Sequence, residues 1–138
     1  MIALDTNVLI RLIIFDDPMQ SGIADDLIRN NRIFISKGVL IESEWVLRYR
    51  YKFQREQIAA FMQNVLDASN TLIEDEQEVR SALEWYSLGT DFADALHLAA
   101  ALVVAGEVAE VMFVSADDAL NAAARAEGLL VENPNAHT

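Results

Sequence analysis

The chain has 138 residues, 53% of them apolar and 23% charged, with five Gly and two Pro, a composition that builds a core and excludes disorder for the bulk of the chain. It has no cysteine, which excludes Cys-ligated zinc, iron–sulfur clusters, thiol nucleophiles and a disulfide scaffold. The formal charge of −12 argues against gripping nucleic acid by bulk electrostatics, yet the charge is uneven: residues 1–55 hold eight basic and seven acidic side chains, residues 56–138 two basic and fifteen acidic.

Met1 to Leu4 reads as a buried strand ending at Asp5, and Asn7 to Ile14 as a helix docked on it. Pro18, with Asp17 as cap, opens a second helix running to about Arg29. Arg32 to Ser36 (RIFIS) is a second strand. Val39, Leu40, Trp45, Val46 and Leu47 then form an apolar stripe at helical spacing, continued by Tyr49 and Phe53. Residues 54–69 form an amphipathic helix, Thr71 to Ile73 a short strand, and Asp75 to Leu88 a helix stopped by Gly89. Asp91 to Ala105 is apolar on almost every side and so reads as a central helix. Val111 to Val114 is a buried strand, Asp117 to Glu127 a helix and Leu129 to Val131 a last strand.

Short apolar strands alternating with helices predict an α/β fold, a three-layer α/β/α sandwich around a mainly parallel sheet. One domain over residues 1–132 is expected, with 133–138 as a short, frayed tail. The opening MIALDTNVLI has neither a basic n-region nor a cleavage site. The longest apolar stretch, interrupted by His97, falls short of the roughly 20 residues of a membrane span. A soluble cytoplasmic protein is the expectation.

In open α/β sheets the functional crevice lies outside the carboxyl ends of the strands. That rule selects four of the 22 acids. Asp5 ends the first strand, Asp117 follows the strand Val111–Val114, Glu42 lies one to two turns into the helix after RIFIS, and Asp94 lies in the first turn of the central helix. Singly, Asp5 and Asp117 read as helix caps and Asp94 as a charge complementing a helix dipole. Glu42 resists such a reading, because its neighbours are large and apolar and no basic residue follows within a turn. Together the four read as a cluster. Two carboxylates about 5 Å apart repel by roughly 3–4 kcal/mol at an effective dielectric near 20, so such a cluster calls for raised pKa values or a cation. Oxygen donors without Cys or paired His favour Mg²⁺ or Mn²⁺.

The segments IALDTNVLI, VLIESEWVLR, TDFADALHLAAA and FVSADDAL resemble, in order and spacing, the four acidic motifs of the PIN-domain ribonucleases, and among them the VapC toxins of bacterial toxin–antitoxin pairs. The family's acids match Asp5, Glu42, Asp94 and Asp117. The resemblance implies Mg²⁺- or Mn²⁺-dependent endoribonuclease activity on RNA, a VapB-like antitoxin as partner, and a homodimer or higher even oligomer. Beside these acids, Asn7 and Ser115 either support the site from behind or cap their helices, and Asp91 supports Asp94 or, the stronger reading, caps the central helix. Glu44 and Asp118 are expected to face outward, and His97 to be a partly buried core residue.

In the segment RYRYKFQR, Arg48, Arg50, Lys52 and Arg55 are candidate contacts for RNA or a partner, with Tyr49, Tyr51 and Phe53 as stackable rings. The duller reading is a helix end with Tyr49 and Phe53 packed i,i+4. The alternative for the whole chain is a non-catalytic PIN-like module that binds an antitoxin or an RNA without cutting it. A phosphatase of the haloacid-dehalogenase type would need an acid where Asn7 stands.

Overall fold

The computed structural model describes residues 1–11, 14, 26, 29–107 and 110–137. The helix expected from Pro18 to Arg29 lies outside the described residues, apart from Asp26 and Arg29, which are helical. The chain divides into two compact units, Met1–Glu76 and Gln77–Thr138.

In the first unit the elements run β1 (Ile2–Ala3), α1 (Thr6–Arg11), β2 (Ile33–Ile35), α2 (Lys37–Tyr49), α3 (Arg55–Asp67) and β3 (Thr71–Ile73). The three strands are parallel in the order β1-β2-β3, with Ile2 opposite Ile33 and Ile35 opposite Ile73. Parallel pairing requires the chain to return by a crossover, and helices supply it. Ile33 and Ile35, on the strand paired on both edges, are both buried, as are Leu9 and Ile10 of α1 and Ile58 and Met62 of α3. Helix α2 starts at Ser36, whose hydroxyl accepts a hydrogen bond from the Val39 N–H at 3.2 Å. Helix α1 packs against α2, and α2 against α3.

The buried face of α2 is Leu40, Ser43, Glu44 and Leu47, the i, i+3, i+4, i+7 rule of a helix. This corrects the stripe expected from large apolar residues. Trp45 is 57% exposed and Tyr49 50% exposed, and their rings lie 5.2 Å apart on the outer surface. It also corrects the expectation that Glu44 faces outward. Glu44 is 3% exposed, and both its oxygens accept from Arg48, Oε2 from Nε at 2.7 Å and Oε1 from Nη2 at 3.1 Å. Arg48, one turn on, reaches back over this carboxylate and offsets the cost of burying its charge.

The second unit contains α4 (Glu76–Ser87) from its second residue on, α5 (Phe92–Glu107), β4 (Met112–Val114), α6 (Asp118–Ala126), β5 (Leu130–Glu132) and a 3₁₀ turn, Pro134–His137. Strands β4 and β5 are parallel, with Phe113 opposite Val131. Helix α4 ends at Gly89, whose φ of +118° only glycine adopts freely. Buried Leu98, Phe113, Leu120 and Ala124 form one apolar cluster, and Tyr86 meets Phe92 edge to face at 5.7 Å. Helix α5 is apolar yet not covered all round: Val103 and Val104 in its last turns are exposed. Among the described residues no helix is long and apolar enough to cross a membrane.

Candidate functional site

Both units place acids beyond the carboxyl ends of parallel strands. In the first, Asp5 follows β1 and is exposed; its Oδ1 accepts from the Thr6 N–H at 2.8 Å, and its carbonyl receives Val8 and Leu9. The carboxylate is thereby held at the strand end instead of swinging freely. Glu42 is exposed on α2, the helix that packs against α1. Its large apolar neighbours do not bury it; the buried glutamate of this helix is Glu44. Asn7 is exposed one residue beyond Thr6.

At the same edge, Glu74 and Asp75 follow β3. Glu74 Oε1 accepts from the Lys37 backbone N–H at 2.9 Å, and Lys37 Nζ pairs with Asp75 at 2.7 Å. These contacts tie the start of α2 to the end of β3 and fix the helix that carries Glu42. Their residues are consecutive in sequence with no motif to mark them, so only the β2–β3 pairing brings them out.

In the second unit three acids share a neighbourhood. The Asp91 carboxylate caps α5, accepting from the Asp94 N–H at 3.1 Å, as the capping reading expects. Asp117 caps α6, its Oδ1 accepting from the Leu120 N–H at 2.7 Å. Asp94, half-buried in the first turn of α5, has its carboxyl raised above the ordinary carboxylate range. Burial is the first cause, then the charges of Asp91 and Asp117, opposed by His97. Capping therefore does not compete with a functional role here. It fixes two carboxylates next to a third that resists ionisation.

The turn bearing Asp117 is held from behind. Ser115 Oγ accepts from the Asp117 N–H at 3.0 Å, and buried Asn121 donates from Nδ2 to the Ser115 carbonyl at 2.8 Å. Asn121 was not apparent in the sequence, where it is one polar residue in an alanine-rich helix. His97, expected to be partly buried, is exposed, with its ring 5.2 Å from Phe113 and its charge felt at Asp94. Asp118 is exposed as expected.

Of the cations in residues 48–55, Arg48 is bound to Glu44 and to the Tyr49 hydroxyl at 3.0 Å. The Arg50 guanidinium lies 5.6 Å from the centre of the Tyr51 ring. Lys52 sits at φ +59°, and Arg55 opens α3.

The raised carboxyl of Asp94 has a consequence for stability. Folding disfavours its charged form, so stability is lost as the pH rises from the ordinary Asp value of 3.8 through the raised value, and the loss persists above it. In EDTA, Asp94→Asn is therefore expected to raise the melting temperature at pH 7, and the gain should vanish at pH 3. Paired thermal melts across that range check it.

A hard divalent cation suits these groups. Asp94 and Asp117 have no Lys or Arg ion-pair partner among the described residues, their donors are carboxylate oxygens, and their mutual repulsion is what a cation relieves. Among the described residues no group of three or more His, Asp or Glu side chains stands in a metal-holding arrangement.

The model of the PIN domain family matches residues 2–126. The chain belongs to the PIN-domain family. No curated protein and no solved structure matches it. PIN domains are generally nucleases that use divalent metal ions, and the α/β arrangement of parallel strands and helices is that of a PIN-like fold. All four acids named from the strand-end rule fall inside the matched residues of this PIN domain.

Proposed function

We propose that this PIN domain is a Mg²⁺- or Mn²⁺-dependent endoribonuclease, the toxin of a VapBC-type pair. The observation that supports it best is the crowding of Asp94 by Asp91 and Asp117 with no cationic side chain paired to Asp94 or Asp117 among the described residues, in a chain of a metal-dependent nuclease family. In this reading Asp5, Glu42, Asp94 and Asp117 are the metal ligands. A bound ion supplies an activated water and stabilises charge developing on a phosphodiester.

The protein's own part is positioning. The Thr6 and Leu120 N–H groups hold the carboxylates of Asp5 and Asp117, and Asn121 and Ser115 hold the turn in which Asp117 sits. Such pre-set ligands need little rearrangement when the ion and the RNA arrive. The Lys37 contacts to Glu74 and Asp75 do the same for the helix carrying Glu42.

A VapB-like antitoxin fits the same chemistry, since a cluster of carboxylates offers an arginine a charge-assisted, bidentate site. A homodimer, or a higher even oligomer, is the assembly this reading proposes, and the bacterial cytoplasm its compartment. The test is incubation of purified protein with structured RNA in Mg²⁺, Mn²⁺ or EDTA. Cleavage in both metals and none in EDTA is expected; cleavage that persists in EDTA would refute the metal-dependent reading.

A further inference from the structure

An acidic protein that handles RNA must hold the polyanion at particular points. The first unit contains such a point outside the acids. A cavity of about 100 Å³ opens between α1 and the end of α2. Thr6, Asn7 and Arg11 line it from α1, and Arg50 and Tyr51 line it from the segment that follows α2. Both charged lining residues are arginines, in a chain whose net charge is −12.

Size limits the occupant. The volume is several times the roughly 10–15 Å³ that admits one water, and well short of the roughly 300 Å³ at which small-molecule sites begin. A small polar group projecting from a larger chain fits such a volume. Chemistry limits it further. Arg50 has no ion-pair partner among the described residues, and its guanidinium is steadied against the Tyr51 ring, a contact that leaves the planar fork of donors available. Arg48, two residues earlier, differs: its fork is already engaged by buried Glu44. The exposed Asn7 side chain adds an amide donor.

We propose that this cavity is a phosphate subsite that takes one backbone phosphate of the RNA, a phosphate other than the one cleaved, with Arg50 as its principal contact. The identity of the ligand as RNA rests on the proposed nuclease function. The position rests on the cavity itself, because Thr6 and Asn7 directly follow Asp5, so a strand anchored here runs past the first of the proposed metal ligands. The inference selects one among the four cations of residues 48–55: Arg50 reads the backbone, while Arg48 holds the helix together.

The experiment uses a labelled single-stranded RNA in EDTA, with affinity followed by fluorescence anisotropy over a range of salt. Arg50→Ala is expected to weaken binding by about tenfold and to reduce the slope of log affinity against log salt by about 0.7, one phosphate contact on a single strand. Arg50→Lys should recover part of the loss, because it keeps the charge and loses the fork. In the wild-type protein, titration with inorganic phosphate should shift the Arg50 Nε–H and Asn7 side-chain amide signals in NMR spectra, a readout that needs no variant. Unchanged affinity and salt slope in Arg50→Ala overturn the subsite, including the case in which that variant instead loses a protein partner. Failure here is distinct from failure of the nuclease reading. RNA bound through Arg50 without metal-dependent cleavage keeps the subsite and ends the nuclease, whereas cleavage with unaltered KM in Arg50→Ala does the reverse.

Discussion

Asp94→Asn and Asp5→Asn are each expected to lower RNA cleavage in Mg²⁺ by more than about 100-fold, the upper end of what loss of a group supporting a metal ligand costs. Each substitution keeps the shape of the side chain and removes one negative oxygen from the proposed ligand set. For Asp94 the effect on the fold runs the other way. Its carboxyl is held above the ordinary range by burial and by Asp91 and Asp117, so the amide relieves repulsion and the variant should be at least as stable as the parent at neutral pH. An inactive protein with an undiminished melting temperature separates a functional carboxylate from a structural one. For Asp5 the amide oxygen can still accept from the Thr6 N–H, so the start of α1 should be preserved. Single-turnover cleavage alongside thermal melts measures both quantities. Loss of activity in proportion to loss of folded protein would contradict the assignment.

Arg48→Ala is expected to destabilise the chain by about 2–3 kcal/mol. Glu44 is buried in the face that α2 turns inward, and Arg48 meets both of its oxygens. Removing one partner of a fully buried pair costs about 3–5 kcal/mol, because the remaining charge keeps its desolvation penalty. The figure is lower here because the Arg48 side chain is 36% exposed. Arg48→Lys should fall between, with charge but no bidentate fork, and Glu44→Gln paired with Arg48→Ala should recover much of the loss. Urea unfolding of the four proteins gives the comparison. A cost below about 0.5 kcal/mol for Arg48→Ala would place this pair among ordinary surface ion pairs.

The pair also illustrates where the sequence was legible. Strand Thr71–Ile73, the stop at Gly89 and the capping position of Asp117 follow from local rules, namely short apolar runs, a residue free at positive φ and a side chain that satisfies helix N–H groups. The orientation of α2 did not follow, because its largest apolar residues, Trp45 and Tyr49, are on the outside while Ser43 and Glu44 are within. The expected stripe followed the large apolar side chains, whereas the buried positions are one i, i+3, i+4, i+7 face whatever their polarity. Glu44 and Arg48 stand four apart, with the acid on the N-terminal side, which is the favourable order for such a pair.

His97 tells the same story on α5. Phe92, Ala95, Leu96, Leu98 and Ala99 are buried, and His97 is exposed although both its sequence neighbours are buried leucines. The places of Asp5 and Asp117 just past the ends of strands were legible from short apolar runs. The supporting contacts were not: the Lys37 bridge to Glu74 and Asp75 spans 37 and 38 positions, and Asn121 reaches a carbonyl six residues back across a turn. Contacts of that kind depend on how strands pair and turns close, which no local pattern encodes.

Calorimetric titration of the purified protein with Mn²⁺ tests the central claim, that carboxylates from distant parts of the chain hold a catalytic ion. Saturable uptake is predicted for the wild-type protein, weakened at least about tenfold by Asp5→Asn and by Asp94→Asn alike. Absence of uptake, or uptake that neither substitution alters, would contradict it.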